Sequence, residues 1–300
     1  MKNNVLRQPV ALDLAPTMTR RAFLADASLA VLSALAGLFA IAMGGCKLGS
    51  GSSTAGNTSN AGSNSNNGTD SVIVALFDVS ASTQSATVKQ RYFDGFQHIV
   101  TGTKGGDYLS GYAITSVTQA TSTSRIDQLI PTYSVSQNTD QYNSDCATAQ
   151  NEALDQARTL LNLRTAEATD ILGAFNDAAG IIDGHKGMTP KLVIFSDMVH
   201  QSGRYDFARE DLTHSRTQAI IHAQRQAGLL PTLTGVEVWV AGATADPSDL
   251  SARHANAQPS VLLDADKIAK IRAFWIAFFD ACGASLTSDR YSATLQNYEG

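Results

Sequence analysis

The sequence predicts an α/β fold, doubly wound, with a mostly parallel central sheet and helices on both faces. Three observations carry this. Runs 72–77 (Val-Ile-Val-Ala-Leu-Phe), 192–195 (Leu-Val-Ile-Phe) and 236–241 (Val-Glu-Val-Trp-Val-Ala) are short and almost wholly apolar, as strands buried on both faces are. Between them lie segments whose apolar residues recur three and four apart, the spacing of amphipathic helices. Setting aside an atypical front segment leaves about 230 residues, enough for one domain with a full core.

The elements follow in order. A strand over 71–77 leads to a helix over 86–100, with Val88, Tyr92, Phe96 and Ile99 on one face. Residues 108–117 read as a strand and 126–135 as its hairpin partner. The polar segment 138–144 reads as a loop. A helix over 146–163 turns Ala149, Ala153, Ala157, Leu160 and Leu161 inward. Thr169-Asp170 opens a helix over 171–182, which ends at Gly184-His185-Lys186-Gly187 because glycine is favoured past a C-cap. Strand 236–241 follows a helix that carries His214 and His222. Asp264 caps a helix over 267–281, whose Ile268, Ile271, Trp275, Phe278 and Phe279 form a broad apolar face. Residues 287–300 form a tail, or an edge strand over 291–298. Alternation of this kind implies a sheet covered on both sides.

The front of the chain reads as an export signal over 1–45, with Lys2, Arg7, Arg20 and Arg21 against Asp13 and Asp26. Thr19-Arg20-Arg21-Ala22-Phe23-Leu24 resembles a twin-arginine motif. The apolar stretch 27–43 is at the edge of a membrane span, so an uncleaved anchor helix competes. Met43-Gly44-Gly45-Cys46 resembles a bacterial lipobox, with Met43 where Leu is usual. That resemblance implies cleavage before Cys46 and lipid on its thiol, the alternative being a plain secretory signal. Lys47 after the cysteine points to outer-membrane delivery, facing the periplasm, if the envelope is Gram-negative. Residues 46–69 are mostly Gly, Ser, Asn and Thr and form a flexible tether, reaching about 25 Å. The domain proper spans 70–286.

Function is most legible where strand 71–77 ends, in Asp78-Val79-Ser80-Ala81-Ser82. Ligands of α/β sheets gather at the carboxyl ends of strands. A carboxylate and two hydroxyls at alternate positions are hard donors, suited to Mg²⁺, Mn²⁺ or Ca²⁺ rather than zinc. Thr169 and Asp197 occupy similar positions later in the chain. The bland reading is a strand-ending turn whose side chains bond local backbone.

Together the three segments resemble the metal-ion-dependent adhesion site of a von Willebrand factor A domain: Asp-x-Ser-x-Ser after the first strand, a Thr on a later loop, an Asp after the fourth strand. The resemblance covers residues 70–285. It implies that Ser80, Ser82 and Thr169 supply neutral oxygens to a divalent ion, Mg²⁺ foremost, with Asp78 and Asp197 acting directly or through water. It also implies a protein or peptide partner whose Asp or Glu carboxylate takes the open position. The ion then lacks negative charge, which favours binding over catalysis. Two other readings stand beside it: an envelope assembly subunit in which the ion only stabilises loops, and a metal-assisted hydrolase, which lacks a base or nucleophile beside the ion.

Other classes find no support in sequence. The formal charge of −5 and the absence of a basic stripe argue against nucleic acid. There is no Walker or Gly-x-Gly-x-x-Gly loop for a nucleotide, no nucleophile elbow in the folded region and no His-Glu-x-x-His. His200, Arg204 and Tyr205 are candidates for a partner-contact rim, since loops beside a site set partner choice; the alternative is a solvated connector. Cys146 and Cys282 are either a disulfide, in an oxidising compartment, or two buried free thiols.

Overall fold

The computed structural model describes residues 69–115, 125–163, 166, 168–243 and 263–299. The export signal, Cys46 with its expected lipid, and the tether up to residue 68 lie outside the described residues. Among those described, no helix is long and apolar enough to cross a membrane.

The strands are β1 (Ser71–Asp78), β2 (Tyr108–Ile114), β3 (Ile126–Leu129), β4 (Thr189–Phe195), β5 (Gln201–Ser202), β6 (Tyr205–Asp206), β7 (Glu237–Ala241) and β8 (Tyr291–Ser292). Six of them make one sheet in the order β3-β2-β1-β4-β7-β8, and β5 and β6 form a separate hairpin. Within the large sheet only β3 runs antiparallel to its neighbour. The helices are α1 (Ala86–Gly102), α2 (Thr139–Leu161), α3 (Ile171–Gly184), α4 (His214–Gln226) and α5 (Ala265–Ala281). Side chains of Ser85, Asn138, Asp170, Thr213 and Asp264 each accept an N–H at a helix start. Such caps contribute about 1 kcal/mol apiece.

β1 is buried along its whole length because it separates two cores. Val72, Val74 and Leu76 pack with residues of α3, α4 and α5 on one face. Ile73, Ala75 and Phe77 pack with α1 and α2 on the other. Phe77 stacks on Phe195 at 5.1 Å, joining β1 to β4, and each such ring contributes about 2–3 kcal/mol by burial. The chain leaving β1 turns to α1 on one face, whereas the chain leaving β4 turns to α4 on the other. The carboxyl ends of β1 and β4 therefore flank the crevice where a doubly wound sheet changes direction.

Three expectations need correction. Residues 138–144 are not a loop: Asn138 caps α2, and the following polar residues form its first turns, with Tyr142 and Cys146 facing inward. The hairpin partner of β2 is the short β3, which ends at Leu129 rather than 135, and β2 itself ends at Ile114. The edge strand expected over 291–298 reduces to β8. Beyond it the tail lies against the sheet, where Trp239 Nε1 donates to the Asn297 carbonyl at 3.1 Å and Lys191 Nζ to that of Glu299 at 2.8 Å. Of the two readings left open for Cys146 and Cys282, the structure shows the free, buried thiols. They sit in different cores with the sheet between them, out of reach of a disulfide.

Candidate metal centre

Asp78 is the last residue of β1, and the chain beyond it is stapled by its own side chains. Ser80 N donates to Asp78 Oδ1 at 2.9 Å, and Ser80 Oγ lies 3.1 Å from Ser82 Oγ. Thr83 Oγ1 donates to the carbonyls of Asp78 and Ser80 at 2.8 and 3.0 Å. The loop is thus built in a single turn, with both serine hydroxyls beside each other.

β4 delivers the second half. Its register pairs Phe195 with Phe77, so the next residue, Ser196, arrives beside Asp78. Ser196 Oγ donates to Asp78 Oδ2 at 2.7 Å and accepts from Met198 N at 2.9 Å. Asp197 Oδ1 accepts from Val199 N at 3.0 Å. Met198 has φ 66°, a conformation that strains a side chain other than glycine. Both of its backbone groups are held, the carbonyl accepting from Trp275 Nε1 of α5 at 2.8 Å. The fold therefore pins the turn that presents Asp197. Gly242, just past β7, forms the floor: a Cβ there would lie 2.7 Å from the Ser196 carbonyl, and its φ is +120°.

Thr169 comes from the connection between α2 and α3, and backbone pairing brings it in. Ala166 N donates to the Val79 carbonyl at 3.1 Å, and Asp170 N to that of Thr115 at 2.9 Å. Thr169 and Gln201 exchange two hydrogen bonds, at 2.8 and 3.0 Å. His200 adds a further tie, its Nδ1 accepting from Ile171 N at the start of α3 at 3.2 Å.

All five predicted ligand residues therefore lie on strand ends and connections joined at the carboxyl end of the central strands, and each is between 2 and 8 % exposed. Asp78, Ser80, Ser82 and Asp197 are linked by side-chain bonds or charge; Thr169 is linked through its backbone pairings. The carboxyl of Asp78 is pushed up to about 6, first by burial and second by the charge of Asp197, while bonds from Ser196 and Ser80 pull the other way. Two buried carboxylates facing each other with hydroxyls around them are a donor set that fits a hard dication. Among the described residues no group of three or more His, Cys, Asp or Glu could hold a metal, so the hydroxyls are needed to complete any shell.

The rim divides differently from expectation. His200 is 1 % exposed and Tyr205 6 %, so neither is a solvated contact residue. Burial drives the His200 imidazole down to about 4, and it acts as a neutral acceptor between loops. Arg204 alone of the three is exposed, at the turn between β5 and β6. Ser196 was not among the predicted site residues. Its place follows only from the β1–β4 register, which the order of residues does not reveal.

No family model matches the chain, and neither does any curated protein. Among solved structures it is similar to a von Willebrand factor type A protein from Catenulispora acidiphila, with 13 % identity, TM-score 0.35, and coverage of 72 % of this chain and 43 % of that one. It is also similar to BatB from Bacteroides thetaiotaomicron, with 16 % identity, TM-score 0.31, and coverage of 60 and 68 %. The pilus adhesin SpaC from Lactobacillus rhamnosus GG shows 12 % identity, TM-score 0.37, and coverage of 72 and 30 %. The chain thus spans less than half the length of the first of these. At such TM-scores the likenesses add nothing to the site, whose chemistry is read from this chain's own side chains.

Proposed function

We propose that this chain is a von Willebrand factor A-type binding domain, which engages a protein or peptide carboxylate through a divalent ion, Mg²⁺ foremost. Asp78, Ser80, Ser82, Thr169 and Asp197 would hold the ion, which supplies a Lewis-acidic position for the partner's oxygen. One observation carries the reading: two buried carboxylates, Asp78 and Asp197, lie with serine hydroxyls beside them at the switch point of the sheet. With only two carboxylates against a dication, an added carboxylate is attracted rather than repelled. Its role is binding, not turnover. Export and a lipid on Cys46 would hold the domain at the bacterial envelope, on the leash of residues 46–69.

Titration calorimetry of the full-length chain with Mn²⁺ and Mg²⁺ tests this. Uptake near one ion per chain is expected, abolished in Asp78→Ala and Asp197→Ala. Uptake that survives both substitutions sinks the proposal. The near-complete burial of all five residues favours a second reading, in which the ion stabilises an assembly subunit and meets no partner oxygen. Pull-downs with and without chelator separate the two, because only carboxylate capture needs the ion for partner retention.

A further inference from the structure

The β5–β6 hairpin stands beside the metal centre and carries an unused positive charge. Gly203-Arg204 forms its two-residue turn, with Gly203 at φ +59°. The hairpin is not loosely attached. Gln201 is doubly bonded to Thr169, Phe207 N donates to the His200 carbonyl at 2.9 Å, and Tyr205 is buried beneath it. Arg204 is therefore fixed in position relative to the ion-binding loops.

An open groove of about 570 Å³ runs along one side of the hairpin, from Ala168 beside Thr169 to Arg209 and Glu210. A second, of about 320 Å³, flanks the other side and includes Asp170 and His200. Arg204 lines both. The other charges near the first groove are matched. Arg209 pairs with Asp206 at 3.5 Å, and Arg216 grips Glu210 through two bonds of 2.7 and 2.8 Å. Arg204 has no partner among the described residues, and its guanidinium presents a planar fork suited to a carboxylate.

We infer that Arg204 is a specificity-determining residue that reads a second carboxylate on the same peptide that meets the metal. This rests on the metal-dependent reading above and names its ligand class: an extended acidic segment. Arg204 lies three residues beyond Gln201, which pairs with Thr169. Because the chain reverses at Gly203-Arg204, the hairpin tip stands about two strand residues beyond that pairing, roughly 7 Å at about 3.3 Å per residue. With the reach of the Arg204 side chain, the two anchoring points are on the order of 10 Å apart. An extended ligand covers that distance in about three residues, so acids at positions i and i+3 match.

The test uses the full-length chain in Mn²⁺ with two synthetic probes, acetyl-Gly-Glu-Gly-Gly-Glu-Gly-amide and the same peptide with Gln for its second Glu. The diacid is expected to bind the wild type about fivefold more tightly, the scale of one exposed charge pair. Arg204→Ala should erase that preference, and so should high salt. An undiminished preference in Arg204→Ala, with Mn²⁺ bound, overturns the inference and leaves the metal reading intact. Mn²⁺ uptake is read separately by electron paramagnetic resonance. Failure of the wild type to take up Mn²⁺, or to bind either probe when loaded, overturns both readings.

Discussion

Replacing Asp78 with Asn should make the metal-free domain more stable and deaf to Mg²⁺. The Asp78 carboxyl is buried and raised from 3.8 to about 6. At neutral pH its ionised form therefore opposes folding by about 3 kcal/mol. Asn keeps an oxygen for Ser80 N but leaves the Ser196 hydroxyl without its acceptor, a loss of about 1 kcal/mol. The net gain is about 2 kcal/mol, or roughly 4–8 °C in Tm for a domain of this size. The pH dependence has a defined sign. Because protonation favours the folded state, this contribution is full below 3.8 and is lost as pH rises through about 6. Wild type in EDTA should thus gain stability relative to Asp78→Asn as pH falls from 7 toward 4. Mg²⁺ at a hundred times its Kd should raise the wild-type Tm by an amount corresponding to about 2.7 kcal/mol and leave the variant unmoved. Thermal melts by circular dichroism, with EDTA or Mg²⁺ at pH 7.5, read both effects. A variant less stable than wild type in EDTA, or one still lifted by Mg²⁺, refutes the reasoning.

Three further outcomes are expected. Gly242→Ala forces a Cβ to 2.5 Å from Tyr92 Oη at a backbone angle only glycine accepts readily; a loss of roughly 3 kcal/mol should appear in urea denaturation. His200 is held near 4 by burial, so it is neutral when folded and its contribution is lost as pH falls below 6.5. Going from pH 7 to pH 5 in EDTA, wild type should lose about 2 kcal/mol more than His200→Gln, measured by urea midpoints. In a Cys46→Ser background, Cys146 and Cys282 should resist a thiol reagent until guanidinium is added, burial holding the Cys282 thiol up at about 12; reducing agent should leave Tm unchanged.

The sequence was most legible where local chemistry and tertiary role agree. β1 and β4 announced themselves because strands buried on both faces must be apolar throughout, and acids that follow such runs must sit at the strand ends. The start of α2 was hidden because its first turns are polar, and only Asn138 as a cap and the inward Tyr142 mark them as helical. β5 and β6, at two residues each, are too short for any periodicity to register. His200 looked like an ordinary loop residue; its burial depends on Phe207, 5.1 Å away, and on α3, neither of which adjoins it in sequence. Ser196 and the tail over 293–299 were likewise defined by register and packing rather than by residue type.

The pairing of β1 with β4 has a kinetic consequence. Asp78 and Ser196 are separated by 118 positions, so the carboxylates converge only after a long loop has closed, which is slow. An ion at this end of the sheet cannot seed folding, because its cradle does not exist until the central strands have aligned. It should instead act as a latch that lengthens the lifetime of the finished domain. In stopped-flow chevrons, Mg²⁺ would then depress the unfolding limb and leave the refolding limb in place.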